Sequence, residues 1–294
     1  MKTLIVNEKY NGKKLNKFLQ DTYPNLSNGM FFKTLRKKDI KVNEKRVNEN
    51  VTLSTNDKVE VYIDDNYLCV FPELEIVYED KNIILVNKPS NIEVTGNNSV
   101  CEILSNKYKK QAFPCHRLDR NTKGLVLFAK SEEALAILLD KFKNAEIEKH
   151  YAAHVYGIPK KSKETLSSYL FKDAKKSIVY ISDIQKKGYR NIITTYSVLK
   201  KFDNNTCILD VNLHTGRTHQ IRAHLAHIGL PIIGDGKYGK NEINKSFNAK
   251  TQKLCSYKIK FNFKTDAGIL NYLNNKEFKL SMGTEIFDNF KKTR

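Results

Sequence analysis

The chain turns on one stretch, His116-Arg117-Leu118-Asp119-Arg120-Asn121-Thr122-Lys123-Gly124, followed at once by Leu125-Val126-Leu127-Phe128-Ala129. A lone carboxylate, Asp119, stands between two guanidiniums just ahead of an apolar run with the length of a buried strand. Neighbouring positive charge favours the ionised form of a carboxylate. An ionised Asp placed at a strand end can act on a sugar or a base by covalent catalysis. The same nine residues also suit a surface loop with an ordinary ion pair, so this stretch alone leaves both readings open.

A second stretch reads Leu213-His214-Thr215-Gly216-Arg217-Thr218-His219-Gln220-Ile221-Arg222-Ala223-His224-Leu225. Together the two resemble the signature of the RluA-type pseudouridine synthases, including the ribosomal large subunit enzymes, which isomerise uridine in RNA. The family motif has the form His-Arg-Leu-Asp-x-x-Thr-x-Gly, and its catalytic aspartate falls on Asp119. Three further segments match: Asn87-Lys88-Pro89, Lys149-His150-Tyr151-Ala152-Ala153-His154-Val155-Tyr156-Gly157, and Pro231-Ile232-Ile233-Gly234-Asp235-Gly236-Lys237-Tyr238-Gly239. The resemblance spans nearly the whole chain. Two positions depart from the pattern. Asn91 stands where the family usually has Gly, and Asn tolerates left-handed backbone angles better than most residues. Lys123 stands where the family prefers Ser or Thr.

The resemblance implies a fold and a set of roles. The fold is α+β: a small N-terminal S-four-like RNA-binding domain, then a catalytic domain with a long mixed, mostly antiparallel sheet, flanking helices and a basic cleft. Asp119 attacks the sugar or takes a proton from it; both remain open. Tyr151 is the active-site tyrosine, holds the uracil and can assist proton removal at carbon five, Arg222 pairs with Asp119, and Arg217 meets a phosphate. The target uridine is flipped out of its stack, and Arg117 fills the gap with its planar guanidinium.

Composition agrees with a polyanionic partner. Lys and Arg number 51 against 32 Asp and Glu, so the 294-residue chain carries a net charge of +19, and 40% hydrophobic residues suffice for a real core. Nucleic acid and an anionic membrane both fit that charge. No apolar run reaches the ~18 residues of a membrane span, and Met1-Lys2-Thr3-Leu4-Ile5-Val6-Asn7 lacks the apolar core of a signal peptide. The resemblance implies RNA as the partner, ribosomal RNA first because family members with this N-terminal domain typically act there and transfer RNA second, with no DNA expected; no membrane and a cytoplasmic monomer are expected. Cys69, Cys101, Cys115, Cys207 and Cys255 are scattered and odd in number, which suits reduced thiols rather than a disulfide framework or a zinc site.

Residues 1–65 suit the S-four-like domain. Leu15, Phe18 and Leu19 fall at helical spacing, and Ser27 caps a second helix with Phe31, Phe32 and Leu35 inward. Ile40-Lys41-Val42, a turn at Asn43-Glu44-Lys45, and Val47 suggest a hairpin; Val59, Val61 and Ile63 alternate as a closing strand. Lys33, Arg36, Lys37 and Lys38 are the expected phosphate contacts, which position a protein without reading sequence. Residues 66–74 read as a linker lying along the next domain.

From Glu75 onward the catalytic domain begins with a hairpin turned at 79–82 and stopped by Pro89. A short helix follows from Ser99 to about Lys110. Ser131-Glu132-Glu133 starts another, with Leu135, Leu138, Leu139 and Phe142 as its buried face. Residues 176–213 alternate through several strands. Thr218 opens a helix carrying Ile221, Leu225 and Ile228 that ends at Gly229, and a last strand at 257–261 precedes a charged tail.

His214, His219, His224 and His227 lack nearby acidic or Cys ligands and are not expected to hold a metal. The implied reaction changes no oxidation state and transfers no group, so no cofactor is expected. Two rival functions remain: an RNA-binding module without catalysis, and a hydrolytic glycosidase. The joint presence of Asp119, Tyr151 and Arg222 favours an enzyme over the first. The second needs another carboxylate, and neither motif supplies one.

Overall fold

The computed structural model describes residues 2–23, 26–63 and 73–281, in two compact units that divide between Glu73 and Leu74. Most of the expected 66–74 linker, Cys69 and the residues from 282 onward lie outside the described residues.

The first unit contains strand β1 (Lys2–Ile5), helices α1 (Leu15–Thr22) and α2 (Asn28–Arg36), and strands β2 (Ile40–Val42), β3 (Lys45–Arg46) and β4 (Lys58–Val61). The strands form one antiparallel sheet in the order β1-β4-β2-β3. Ser27 begins α2 by accepting a hydrogen bond from the Met30 N–H, as a cap should. Leu15, Phe18, Leu19, Phe31 and Leu35 close one core with Ile40, Val59 and Val61.

Two expectations need correction here. Phe32 is exposed. Phe31 and Leu35, four apart, take the inward stripe, and Phe32 is rotated about 100° away from it. The hairpin turn is two residues, not three: Val42 pairs directly with Lys45. Asn43 and Glu44 both have positive φ, which matches the twist of flanking strands. The Asn43 amide fixes that turn by accepting from Lys58 N–H and donating to Asp57. The sequence made no prediction for β1, which pairs with β4 although it shows little alternation.

The second unit begins with β5 (Glu75–Glu79) and β6 (Ile83–Lys88). Then come α3 (Val100–Tyr108), β7 (Phe113–Pro114), β8 (Lys123–Ala129), α4 (Glu132–Lys143), β9 (Ile147–Tyr156), β10 (Lys163–Asp173), β11 (Ile178–Ser182), β12 (Arg190–Phe202) and β13 (Thr206–Leu213). The chain continues through α5 (Gln220–His227), α6 (Asn241–Ser246), β14 (Leu254–Phe261), a 3-10 helix (Gly268–Leu273) and β15 (Glu277–Lys279). These strands form one mixed sheet ordered β11-β10-β12-β13-β9-β14-β8-β6-β5, with β15 on β14 and β7 on β8. Among the described residues every pairing is antiparallel except β8 with β14, where Lys123 faces Cys255 and Gly124 faces Ser256. That parallel contact requires glycine: Gly124 has φ +112, and a Cβ there would lie 2.2 Å from the Ser256 carbonyl oxygen.

The sheet is covered on both faces. Val126 and Phe128 join a core with Val100 and Leu104 of α3 and Ile221 and Leu225 of α5. Leu125, Leu127 and Ala129 join the opposite core with Ala134 and Leu138 of α4 and with Leu270 and Leu273. A strand buried on both faces reads as an unbroken apolar run, which is why Leu125–Ala129 does not alternate. Leu139, expected to be buried, is 47% exposed on the outer side of α4. The segment expected to be a charged tail is ordered at least to Ser281, and β15 closes on β14 through the pair Ile259–Phe278. No helix among the described residues is long and apolar enough to cross a membrane. Cys101, Cys115, Cys207 and Cys255 are free thiols.

Candidate active site

Asp119 sits in the loop between β7 and β8, and its backbone is clamped from several sides. Its carbonyl accepts from the Thr122 N–H at 3.0 Å, and the Thr122 hydroxyl accepts from the Gln252 amide at 2.6 Å. From the end of β6, the fully buried Lys88 ammonium donates to the carbonyls of Pro89, Ile92 and Arg120 at 2.8, 2.8 and 3.0 Å. Burial pulls Lys88 down to about 8, against the opposing pull of Glu93 and Asp119. Ser90 donates to the Asn121 carbonyl, and Arg120 donates to the Asn91 carbonyl. Asn91 has φ +68, so the left-handed angle expected where the family has Gly is present.

Helix α5 brings the partner of Asp119. It begins at Gln220, two residues later than expected, with His219 preceding it at φ 53. The Gln220 side chain fixes this start: Oε1 accepts from Thr215 and the Arg217 N–H, and Nε2 donates to the Ile193 carbonyl and to Thr194. At the other end Gly229, with φ +81, donates to Ala226 while Leu230 donates to Leu225. That pair of bonds is the Schellman arrangement for which glycine is suited.

Between these ends, Arg222 donates from Nη1 to Asp119 Oδ2 at 2.8 Å, from Nε to Asp235 Oδ2 at 2.7 Å and from Nη2 to Asp235 Oδ1 at 2.9 Å. Asp235 is fully buried. Burial alone would raise its pKa, but the guanidinium and the N–H groups of Lys237 and Tyr238 outweigh it and hold the carboxyl below the usual range. The two carboxylates in turn raise Arg222 despite its burial. The Tyr238 ring faces the guanidinium, 5.2 Å away.

Two cavities meet at Asp119. The smaller, about 310 Å3, is lined by Tyr151, Lys149, His116, Arg217, Leu213, Ile221 and Leu254 as well as Asp119 and Arg222. The larger, about 730 Å3, is lined by Arg120, Lys237, Lys245, Lys250 and several Asn side chains, with Glu93. Arg117, exposed, borders both. Tyr151 is buried, and its pKa is raised by that burial and by the negative charge of Asp119. It is therefore a neutral phenol across the physiological range.

The match of a family model described as "RNA pseudouridylate synthase" spans residues 82–227. A ribosomal large subunit pseudouridine synthase C from Rickettsia felis is 34% identical over 255 residues, covering 78% of this chain and 83% of the relative. The chain belongs to the RNA pseudouridylate synthase family. It is an enzyme of that family, an isomerase of uridine in RNA. A protein from Mycoplasma capricolum named as an uncharacterized RNA pseudouridine synthase is also 34% identical, over 94% of this chain and 96% of its own length. In fold, human RNA pseudouridylate synthase domain containing 1 matches 76% of this chain and 90% of its own with a TM-score of 0.63 at 20% identity.

Within this synthase the structure brings Asp119, Tyr151, Arg222, Arg117 and Arg217 to one place. Lys33, Arg36, Lys37 and Lys38 belong to the other unit, where they are exposed on α2 and just after it. Sequence reading missed the Asp235 role. Its signal was the Gly234–Gly239 loop, singled out without a function, and Asp235 also lies beyond the matched segment. It also missed His219, whose Nε2 is 4.0 Å from Asp119 and whose Nδ1 is 2.8 Å from the Tyr238 hydroxyl. Burial lowers the His219 pKa, though Asp119 opposes this. The three other histidines weighed as metal ligands bind apart: His214 to Thr195, His224 to Thr194, and His227 to Asp183.

Proposed function

We propose that this synthase converts uridine to pseudouridine in structured RNA, with large-subunit ribosomal RNA as its substrate and Asp119 as the group that acts on the sugar. The observation that carries this reading is the 2.8 Å contact of Arg222 with Asp119 beside the buried Tyr151 in one cavity. The guanidinium keeps Asp119 aimed through a charge-assisted hydrogen bond. The glycosidic nitrogen–carbon bond breaks, the uracil turns, and a carbon–carbon bond forms through carbon five, which loses its proton while the released ring nitrogen gains one. Atoms and electrons balance within the nucleotide, so the reaction requires neither metal nor redox cofactor. Tyr151, protonated at rest, offers the uracil a flat surface and a hydrogen-bond donor. Arg117, free at the rim of both cavities, takes the place of the flipped base.

The name of the Rickettsia felis relative supports ribosomal RNA as the substrate. The net charge of +19 supports a polyanion. We assign the first unit an S-four-like RNA-binding role, with Lys33, Arg36, Lys37 and Lys38 on phosphates. Hydrolysis is disfavoured because Asp235, the carboxylate nearest in the network, is fully buried and held by both oxygens. The test is to map pseudouridines in total RNA from a deletion strain. One or more sites in large-subunit RNA should vanish, return with the wild-type protein and fail to return with Asp119→Asn. An unchanged map would refute the reading.

A further inference from the structure

Lys149 is a cation in search of a partner. Strand alternation puts it on the same face of β9 as Tyr151, and both line the 310 Å3 cavity beside Asp119. Among the described residues no carboxylate pairs with it. Its ammonium lies over the Phe142 ring, 4.7 Å from the centroid. It also lies 3.8 Å from the place a Cβ on Gly216 would occupy, so it sits against the backbone just before Arg217. Burial lowers its pKa to about 8 and no neighbouring charge raises it. A desolvated ammonium without a counter-ion is costly unless something pairs with it, and an aromatic face offsets only part of that cost.

His116 lines the same cavity. The Leu127 N–H donates to His116 Nε2 at 3.2 Å. That bond requires a lone pair on Nε2, so the neutral ring carries its proton on Nδ1. His116 is neutral because burial and Lys149 pull its pKa to about 3. Among the described residues its buried Nδ1 has no hydrogen-bond partner. The His116 ring packs on Phe142, 5.3 Å between centroids, so Phe142 holds imidazole and ammonium together. Lys149 and the exposed Arg217 thus border the cavity that holds Asp119 and Tyr151, and the His116 ring lines it too.

We infer that Lys149, with Arg217, binds a phosphodiester of the RNA strand at the flipped uridine. This rests on the proposed function, because it assumes that a nucleotide of RNA enters this cavity. A phosphodiester carries a full negative charge in every state of the strand, whereas a uracil carbonyl is neutral when it binds. Only the former supplies the counter-ion that Lys149 lacks. Charge-assisted hydrogen bonds of this kind are the strong ones.

The test uses the full chain and an in vitro transcript of large-subunit ribosomal RNA. The dissociation constant is measured against salt for wild type, Lys149→Met, Lys149→Gln and Lys149→Arg, with pseudouridine formation followed in parallel. Leaving one phosphate without its cation should flatten the slope of log affinity against log salt by about 0.7–0.9 in both Met and Gln variants. Lys149→Arg should keep the wild-type slope. The Met variant should also melt no lower than wild type and up to a few degrees higher, since removing an uncompensated charge relieves the fold. An unchanged slope would overturn the assignment, even if turnover fell, for then Lys149 serves the base instead. A lower melting point of both variants, with an unchanged slope, would make it a structural residue. If wild type forms no pseudouridine in this transcript, the chosen substrate fails while the slope comparison still decides the role of Lys149.

Discussion

Arg222 reaches Asp119 with one nitrogen while Asp235 holds the other two. The geometry of the Asp119 contact is therefore set from behind, by a carboxylate that no substrate reaches. A fork that grips one carboxylate bidentately and presents a third donor to another is a property of arginine alone. The sequence separation of 103 residues between Arg222 and Asp119, and of 13 between Arg222 and Asp235, shows how different the two contacts are in origin.

Arg222→Lys should lower kcat by a hundredfold or more, because a point ammonium cannot satisfy Asp235 and Asp119 together. Asp235→Ala should destabilise the fold by roughly 3–5 kcal/mol, the usual consequence of leaving one member of a buried ion pair alone. Thermal melts and single-turnover assays check both. A Lys variant with wild-type turnover would remove Arg222 from the reaction.

Asp119→Asn should abolish product formation and leave RNA affinity equal or slightly higher, since one negative charge leaves a basic site. Primer-extension detection of pseudouridine, paired with a binding titration, is the measurement. More than a trace of product from this variant would mean that another group does the work.

The Lys88 ammonium gives a pH prediction. Its folded pKa is about 8, below the ordinary lysine value because of burial. Three carbonyls need three N–H donors, and the neutral amine has two, so the grip on the Asp119 loop slackens as pH rises through about 8. The value of kcat/KM should fall there. Stability should not fall with it. Between about 8 and 10.5 the unfolded chain binds more protons at this residue than the folded one, so this group by itself makes the fold more stable as pH rises. Activity and melting temperature measured in parallel from pH 6.5 to 9.5 decide the matter. A flat activity profile, or activity and stability declining together, would count against the role given to Lys88.

The two units should divide the work on RNA. Changing Lys33, Arg36, Lys37 and Lys38 to Ala, or deleting residues 1–65, should flatten the salt dependence of binding, by about one unit of slope for each phosphate no longer neutralised. Turnover at saturating RNA should persist. Arg117→Ala should do the reverse, cutting turnover and moving the slope by about one unit at most. A salt slope untouched by the truncation would leave the first unit without its RNA-binding role.

The sequence by itself determined what is local. The apolar run at 125–129, the caps at Ser27 and Ser131, the left-handed Asn91 and the glycine after α5 each depend on neighbours within a few residues, and each was legible. So was membership of a catalytic family, because Asp119, Tyr151 and Arg222 recur in short motifs. Tertiary structure decided what depends on pairing across the chain. The edge strands β1 and β15 are too short to carry a period of their own and exist because β4 and β14 offer open ladders. Phe32 and Leu139 sit at the margin of an amphipathic stripe, where spacing cannot say how far the covering surface extends. Asp235, Lys88 and Lys149 are charged residues in segments that read as loop or strand. Their importance arises only from burial beside Asp119, and burial is set by what packs above a residue, not by what precedes it.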